Sequence, residues 1–311
     1  MRASIVIRSK NEERFIGPVL RRVLEQEFSE PYEVLVLDSG SQDRTVEIVR
    51  GFPVRFETIP AERFTFGSAL NRGTSLARGE YVVFLSAHCV PCTRSWLREL
   101  TGPFANDPRV VATYGRQEPI PGVNPLEERR LEQSYTLRAD KTVQASFSNA
   151  NSAVRKCVWQ DFPFDEAIAS GEDFLWASTL PAPYTIQYVH EASVFHSHPL
   201  LLRYWRRRWY EEGLMGQYLT RVHGVPDPLA EVPTQPGSSG HRHTLKRISD
   251  TLCILWQKRE FATLCRYPFY ALNRLYFYKK GQWDGARLYG PATATQRRTT
   301  TRSSLTKKVV T

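Results

Sequence analysis

Four short apolar runs, each leading into a polar turn and then a stretch of helical spacing, most constrain what this chain can fold into. Ser4-Ile5-Val6-Ile7-Arg8 is followed by Ile16, Val19, Leu20, Val23 and Leu24, which recur at the spacing of one helical face. Glu33 to Asp38 is apolar on both phases, as a strand buried on both faces of a parallel sheet must be. A helix over Thr45 to Arg50, a strand over Val54 to Thr58, a helix over Gly67 to Arg78 and a strand over Glu80 to Leu85 continue the alternation. Strands separated by helices of this length cannot pair as hairpins. They imply βαβ units and a mostly parallel, Rossmann-like sheet with flanking helices.

Beyond the fourth run the pattern loosens. A helix opens at Trp96, and strands are expected over Arg109 to Tyr114, Ser148 to Val154 and Tyr184 to Phe195. Helices are expected over Leu126 to Ala139 and Ala167 to Leu180. From Pro199 the texture becomes basic and aromatic, with helices expected over Leu200 to Val222, His243 to Trp256 and Phe261 to Lys280. The Pro- and Gly-rich stretch Val225 to Gly240 reads as a linker, and 291–311, poor in apolar residues, as a disordered basic tail. The expected division is therefore an α/β domain over 1–198, a helical C-terminal subdomain over 199–290, and the tail.

Charge follows the same division. The net charge of +10 is made of 22 basic against 25 acidic residues over 1–195, and 20 against 7 over 196–311. A basic, aromatic half fits either a nucleic acid or the headgroup region of a membrane. Five cysteines, an odd number, argue against a disulfide framework and for a reducing compartment. No run of 18 or more apolar residues and no signal-peptide pattern is present, so a cytoplasmic protein is expected. Cys89 and Cys92 form a Cys-x-x-Cys without a second pair, which reads as packing.

Ligands of an open parallel sheet bind outside the carboxyl ends of its strands. The residues there are Arg8-Ser9-Lys10-Asn11-Glu12-Glu13, then Asp38-Ser39-Gly40-Ser41-Gln42-Asp43, then Ser86-Ala87-His88-Cys89. Carboxylates, cations and Gly- and Ser-rich turns of this kind suit a nucleotide. Each turn taken alone is also an ordinary capped turn.

Taken in order, these stretches resemble the family 2 glycosyltransferases of the GT-A fold. The resemblance extends through Asn71-Arg72-Gly73, Ala77 to Leu85 and the Glu-Asp motif in Ser170-Gly171-Glu172-Asp173-Phe174. Phe195-His196-Ser197-His198 and Tyr204 to Gly213 are similar to the rhamnosyltransferase-like branch, and the match covers about 1–215. It implies inverting transfer of a sugar, with rhamnosyl the leading guess, from a nucleoside diphosphate donor to a glycan or lipid-linked acceptor. A non-catalytic nucleotide- or glycan-binding protein on the same fold is the alternative.

By the resemblance, Asp173 is the base, with Glu172 behind it. Asp38 contacts the nucleoside, and Asp43 is its second acid or, equally, a helix cap. Arg8 and Glu12 belong to the nucleotide loop, and Asn149 and Asn151 lie under the donor sugar. Arg72 faces the diphosphate, although the family shows its Arg a position or two earlier, where Leu70 stands here. The family's Asp-x-Asp metal motif is replaced by Ser86-Ala87-His88. Two outcomes follow. Either His88 with His196 or His198 holds a divalent cation, Mn²⁺ more naturally than Mg²⁺, or cationic side chains carry the phosphate charge. The resemblance also ranks a peripheral contact of the basic helices with the inner face of the cell membrane above nucleic acid.

Overall fold

The computed structural model describes residues 1–123, 125–137, 143, 146–198, 201–227 and 261–290, with single positions between 249 and 259. The chain divides into two compact units, Met1–Pro199 and Leu200–Thr311.

The first unit is built on one eight-stranded sheet: β1 (Ala3–Ser9), β2 (Tyr32–Asp38), β3 (Arg55–Thr58), β4 (Tyr81–Ser86), β5 (Val90–Pro91), β6 (Val110–Glu118), β7 (Asn151–Arg155) and β8 (Thr185–Phe195). Their spatial order is β3-β2-β1-β4-β7-β6-β8-β5. The helices are α1 (Ile16–Leu24), α2 (Thr45–Arg50), α3 (Phe66–Leu76), α4 (Trp96–Thr101), α5 (Pro103–Asn106), α6 (Pro125–Tyr135), α7 (Lys156–Asp161) and α8 (Glu172–Thr179). The four apolar runs become the parallel half of the sheet, β3 to β4. Ile5, Ile7, Val34 and Val36 face one apolar layer, and Val6, Leu35, Leu37 and Phe84 face the other. Burial on both faces is the reason those runs read as continuous and not alternating.

The other half departs from the expected parallel sheet. β7 runs antiparallel to both β4 and β6, and β5 antiparallel to β8, while β6 and β8 are parallel. Strand direction leaves no trace in hydropathy, so it could not be read beforehand. The reversal has a useful consequence. The carboxyl ends of β1, β2, β4, β6 and β8 and the amino end of β7 all lie on one edge of the sheet.

Element ends also shift. The helix expected from Ala167 begins at Glu172, because Gly171 sits at φ +86°, a left-handed conformation that a side chain resists, and Asp165 Oδ1 accepts from the Ala167 N–H to form a turn before it. The strand expected from Ser148 starts at Asn151, after a turn at 149–150. The helix expected to Ala139 ends at Tyr135 in α6.

The second unit contains α9 (Leu202–Tyr218), a π-helical turn over Leu219–His223, and the 28-residue α10 (Phe261–Leu288), longer than the expected Phe261 to Lys280. A Cβ on Gly213 would lie 2.2 Å from the Tyr278 carbonyl oxygen, so α9 and α10 approach at a distance only glycine permits. The Arg206 guanidinium lies 5.4 Å from the Phe277 ring centre and the Lys280 ammonium 5.0 Å from that of Tyr210. Among the described residues no helix is long and apolar enough to cross a membrane. The expected linker over Val225 to Gly240, the helix over His243 to Trp256 and the tail over 291–311 fall largely or wholly outside the described residues.

Candidate active site at the carboxyl edge of the sheet

The exits of β1 and β2 are stitched together. Asn11, at φ +54°, donates its N–H to Ser41 Oγ (2.8 Å), and its Oδ1 accepts the Gln42 N–H (2.8 Å). The Glu12 N–H goes to Thr45 Oγ1 (2.7 Å), and Asp43 Oδ2 accepts the Glu13 N–H (3.1 Å). Asp43 also accepts the N–H and hydroxyl of Thr45. Its pKa falls below the usual carboxylate value: these hydrogen bonds outweigh a desolvation that acts the other way. The structure thus gives Asp43 a loop-tying place. Asp38 is buried and receives the N–H groups of Gly40 and Ser41 (3.0 and 2.8 Å) and the Ser41 hydroxyl, an Asx turn that shapes the loop after β2.

The exit of β4 is clamped between its neighbours. Ser86 donates its N–H to the Ala150 carbonyl and Ala87 to that of Arg8, both at 3.1 Å. This turn presents His88. Cys89, next along, is fully buried in the core, and burial pushes its thiol far up.

His88 Nδ1 lies 2.7 Å from Glu12 Oε1, and His88 Nε2 lies 3.1 Å from His196 Nε2. His196, after β8, has its Nδ1 2.6 Å from Gln117 Oε1 on β6. An ionised carboxylate and an amide oxygen can only accept, so each imidazole carries its proton on Nδ1. The two Nε2 atoms, 3.1 Å apart, are thereby the ones left to face a shared ion or to share a proton between them. His198 joins them, its ring centre 4.5 Å from that of His196, and its N–H is held at 3.3 Å by Glu127 of α6. One ligand nitrogen from each of the three lies within 4.8 Å of the others. The residues therefore fit a divalent cation: three convergent nitrogens, two of them fixed by outer hydrogen bonds. Gln117 was not singled out from sequence. The signal was faint: it lies on the buried phase of Thr113, Gly115 and Gln117 in β6.

The second centre is carboxylate. Gly171 starts α8 so that Glu172 and Asp173 occupy its first turn, where the helix dipole favours negative charge. Glu172 is 4% exposed, whereas Asp173 is half-buried. Asp173 Oδ1 accepts the Phe174 N–H (2.8 Å) and Oδ2 the Asn149 N–H (3.3 Å). Burial, and then the charge of Asp173, push Glu172 up to about 7, against the pull of Arg8. Arg8 itself lies beneath the pair, with Nη1 4.0 Å from Glu172 Oε1 and Nη2 donating to the Asn149 carbonyl at 3.0 Å.

Two expected residues are placed differently. Asn151 is fully buried in the sheet, where its Nδ2 donates to the carbonyls of Arg116 and Ala192 and its Oδ1 accepts the Trp96 indole N–H. It fastens β7 to β6, β8 and α4, and its polar atoms are spent there. Arg72 is an exposed residue of α3, six positions beyond the helix start and so about 9 Å along its axis. The structure does not bring it to either centre.

Comparison with known proteins agrees with this architecture. A stretch of 204 residues is 29% identical to the O-antigen chain rhamnosyltransferase WbaN of Salmonella anatum, covering 61% of this chain and 64% of that protein. The chain thus matches less than two thirds of that relative's length. Among solved structures, a mannosyltransferase from Pyrobaculum calidifontis in complex with GDP-Man and Mn²⁺ superposes with a TM-score of 0.59 at 18% identity, over 91% of this chain and 87% of that one. Glucosyl-3-phosphoglycerate synthase from Mycobacterium tuberculosis, solved with Mn²⁺, UDP-glucose and phosphoglyceric acid, gives 0.55 at 22% identity, over 74% and 82%. The fold is that of these GT-A glycosyltransferases. The family model for glycosyl transferase family 2 matches residues 4–162, about half of the sequence and all four parallel strands, and the chain belongs to that family.

Proposed function

We propose that the chain is an inverting glycosyltransferase that moves a sugar, rhamnosyl first among the candidates, from a nucleoside diphosphate donor to a hydroxyl of a glycan or lipid-linked acceptor. The observation that carries this reading is the pairing of two chemically different centres on one sheet edge. A half-buried carboxylate, Asp173, is braced at a helix start, and a three-imidazole cluster is anchored four residues of β1 exit away from the guanidinium beneath it. The intact acid pair over Arg8 weighs against a role in binding alone.

Asp173 accepts the proton of the acceptor hydroxyl as the new bond forms. Its two backbone N–H donors fix the carboxylate's direction. Glu172, buried behind it, is too enclosed to reach an acceptor and stays a partner of the base. The turns at 38–45 and 86–88 would line the nucleotide site, their shape held by amides and hydroxyls that are spent within the loops. His88, His196 and His198 would hold a divalent cation, whose chemistry is to neutralise charge at the donor diphosphate. The nitrogen donors favour Mn²⁺ over Mg²⁺.

A transfer assay over UDP-, GDP- and dTDP-sugars with lipid-linked acceptors tests the reading. Turnover with one donor is expected, with the product of opposite anomeric configuration. Tight nucleotide binding without turnover on any donor would favour the binding-protein alternative.

The second unit would work at the inner face of the cell membrane. On α10, Phe269, Leu272, Tyr276 and Trp283 are 55–66% exposed, beside Lys279 and Arg287, an aromatic and basic stripe of the kind that lies in the headgroup region. The protein should co-sediment with vesicles containing anionic phospholipid and be released as ionic strength rises. Equal sedimentation with neutral vesicles, or none with either, would remove this assignment.

A further inference from the structure

Arg8 stands out among the charged residues of the first unit. Its side chain is only 9% exposed, yet Nε and Nη1 have no hydrogen-bond partner. Leaving such donors unmet in a dry site is costly, so a fold retains them only where the charge does something else. Burial pulls the guanidinium below its usual value, against Glu172 and Asp173, which raise it; it remains a cation.

Its surroundings say what that charge does. On one side lies the Phe66 ring, its centre 5.2 Å away. On the other are Glu172 and, through the Asn149 segment, Asp173. Arg8 Nη2 holds the Asn149 carbonyl, and the Asn149 N–H holds Asp173 Oδ2. A phosphate ligand would have to share this enclosed place with two carboxyl groups, which is unfavourable for an anion. The guanidinium is therefore turned to the acids of the protein itself.

We propose that Arg8 acts through the Glu172–Asp173 pair and not on the donor: it is the positioning cation that offsets the pair's negative charge and, through the Asn149 segment, aims Asp173. Two neighbouring carboxyl groups in a site of low dielectric do not both ionise readily. The cation beneath them, 4.0 Å from Glu172 Oε1, lowers the cost of placing negative charge on the pair. Cys89 and Tyr135 are among the described titratable groups that face the cluster, and burial raises both. The inference rests on the glycosyltransferase reading for its catalytic meaning, but its electrostatic content can be measured without substrate.

The test compares wild type with Arg8→Gln, Arg8→Lys and the double variant Arg8→Gln/Glu172→Gln, each as the full chain. Carbon-13 side-chain carboxyl NMR follows Glu172, identified by its loss in Glu172→Gln. In wild type the midpoint is expected near 7. Removing the cation should raise it by at least about one pH unit, and Arg8→Lys should restore most of the shift. If Arg8→Gln does not fold, Arg8→Lys still reads the loss of the fork with the charge kept, and the double variant, relieved of the buried acid, should fold.

Kinetics give the second readout. Transfer by Arg8→Gln should fall about tenfold to a hundredfold in kcat, with dTDP and UDP affinities by calorimetry within about twofold of wild type. An unmoved Glu172 titration, or a nucleotide affinity that falls in step with kcat, would overturn the proposal and return Arg8 to the donor. If no donor is turned over by wild type, the functional reading fails while the titration still decides the role of Arg8.

Discussion

Asp173→Asn should abolish most transfer while leaving the donor bound. The substitution keeps the shape of the side chain, and its one carbonyl oxygen can still accept the Phe174 N–H while the longer Asn149 contact is given up, so α8 should form as before. What is lost is the basic oxygen. Proton transfer by a positioned group contributes about 10²- to 10⁴-fold, and kcat should fall by that order, with nucleotide affinity within about twofold. A second consequence follows from the pair. The charge of Asp173 is one of the two causes that raise Glu172, so in Asp173→Asn the Glu172 titration should move down from about 7. A variant that binds donor and keeps full transfer would show that another group takes the proton.

The next largest effect is expected at the imidazole cluster. Manganese binding to the free protein, followed by electron paramagnetic resonance of the unbound ion, should be lost in His88→Asn. In Glu12→Gln and Gln117→Leu it should weaken about tenfold to a hundredfold, because these residues act by holding the ring protons on Nδ1. Glu12→Gln is the informative case. Its amide can present either an acceptor or a donor to His88 Nδ1, so the tautomer is no longer imposed. Magnesium should compete poorly, since it prefers oxygen ligands. Equal affinity in wild type, His88→Asn and Glu12→Gln would show that the cluster holds no ion and that the phosphate charge is met by cationic side chains.

The parallel half of the fold was open to reading because burial on both faces leaves an unmistakable run, as in Glu33 to Asp38 and Glu80 to Leu85. The second half was not, since the direction of β7 depends on whether it meets β4 from above or below, and hydropathy is the same either way. Gly171 shows a related limit. Ala167 to Leu180 has helical composition throughout, but one left-handed residue sets where the helix starts, and so where Asp173 points.

The candidate site was legible to the extent that its residues stand at strand exits. His88, His196 and His198 are gathered by β4 and β8, strands whose ends were placed correctly within a residue or two. What sequence withheld was the partner of each group. Nothing in the spacing of Arg8 and Glu172, 164 positions apart, indicates that one lies beneath the other. Asn151 and Asn149 differ by two positions in one motif. Yet one is consumed inside the sheet and the other keeps its main chain between Arg8 and Asp173.

The stitched exits of β1 and β2 have a consequence for how such a protein can change over time. Five hydrogen bonds between residues 11–13 and 41–45 make the two loops one piece, and that piece carries Glu12. An insertion in the 40–45 turn, which would ordinarily be absorbed at the surface, would here drag the carboxylate that orients His88. The shape of the 40–45 turn and the orientation of His88 are in this way tied to a single short splice, and a lineage could alter one only by re-tuning the other.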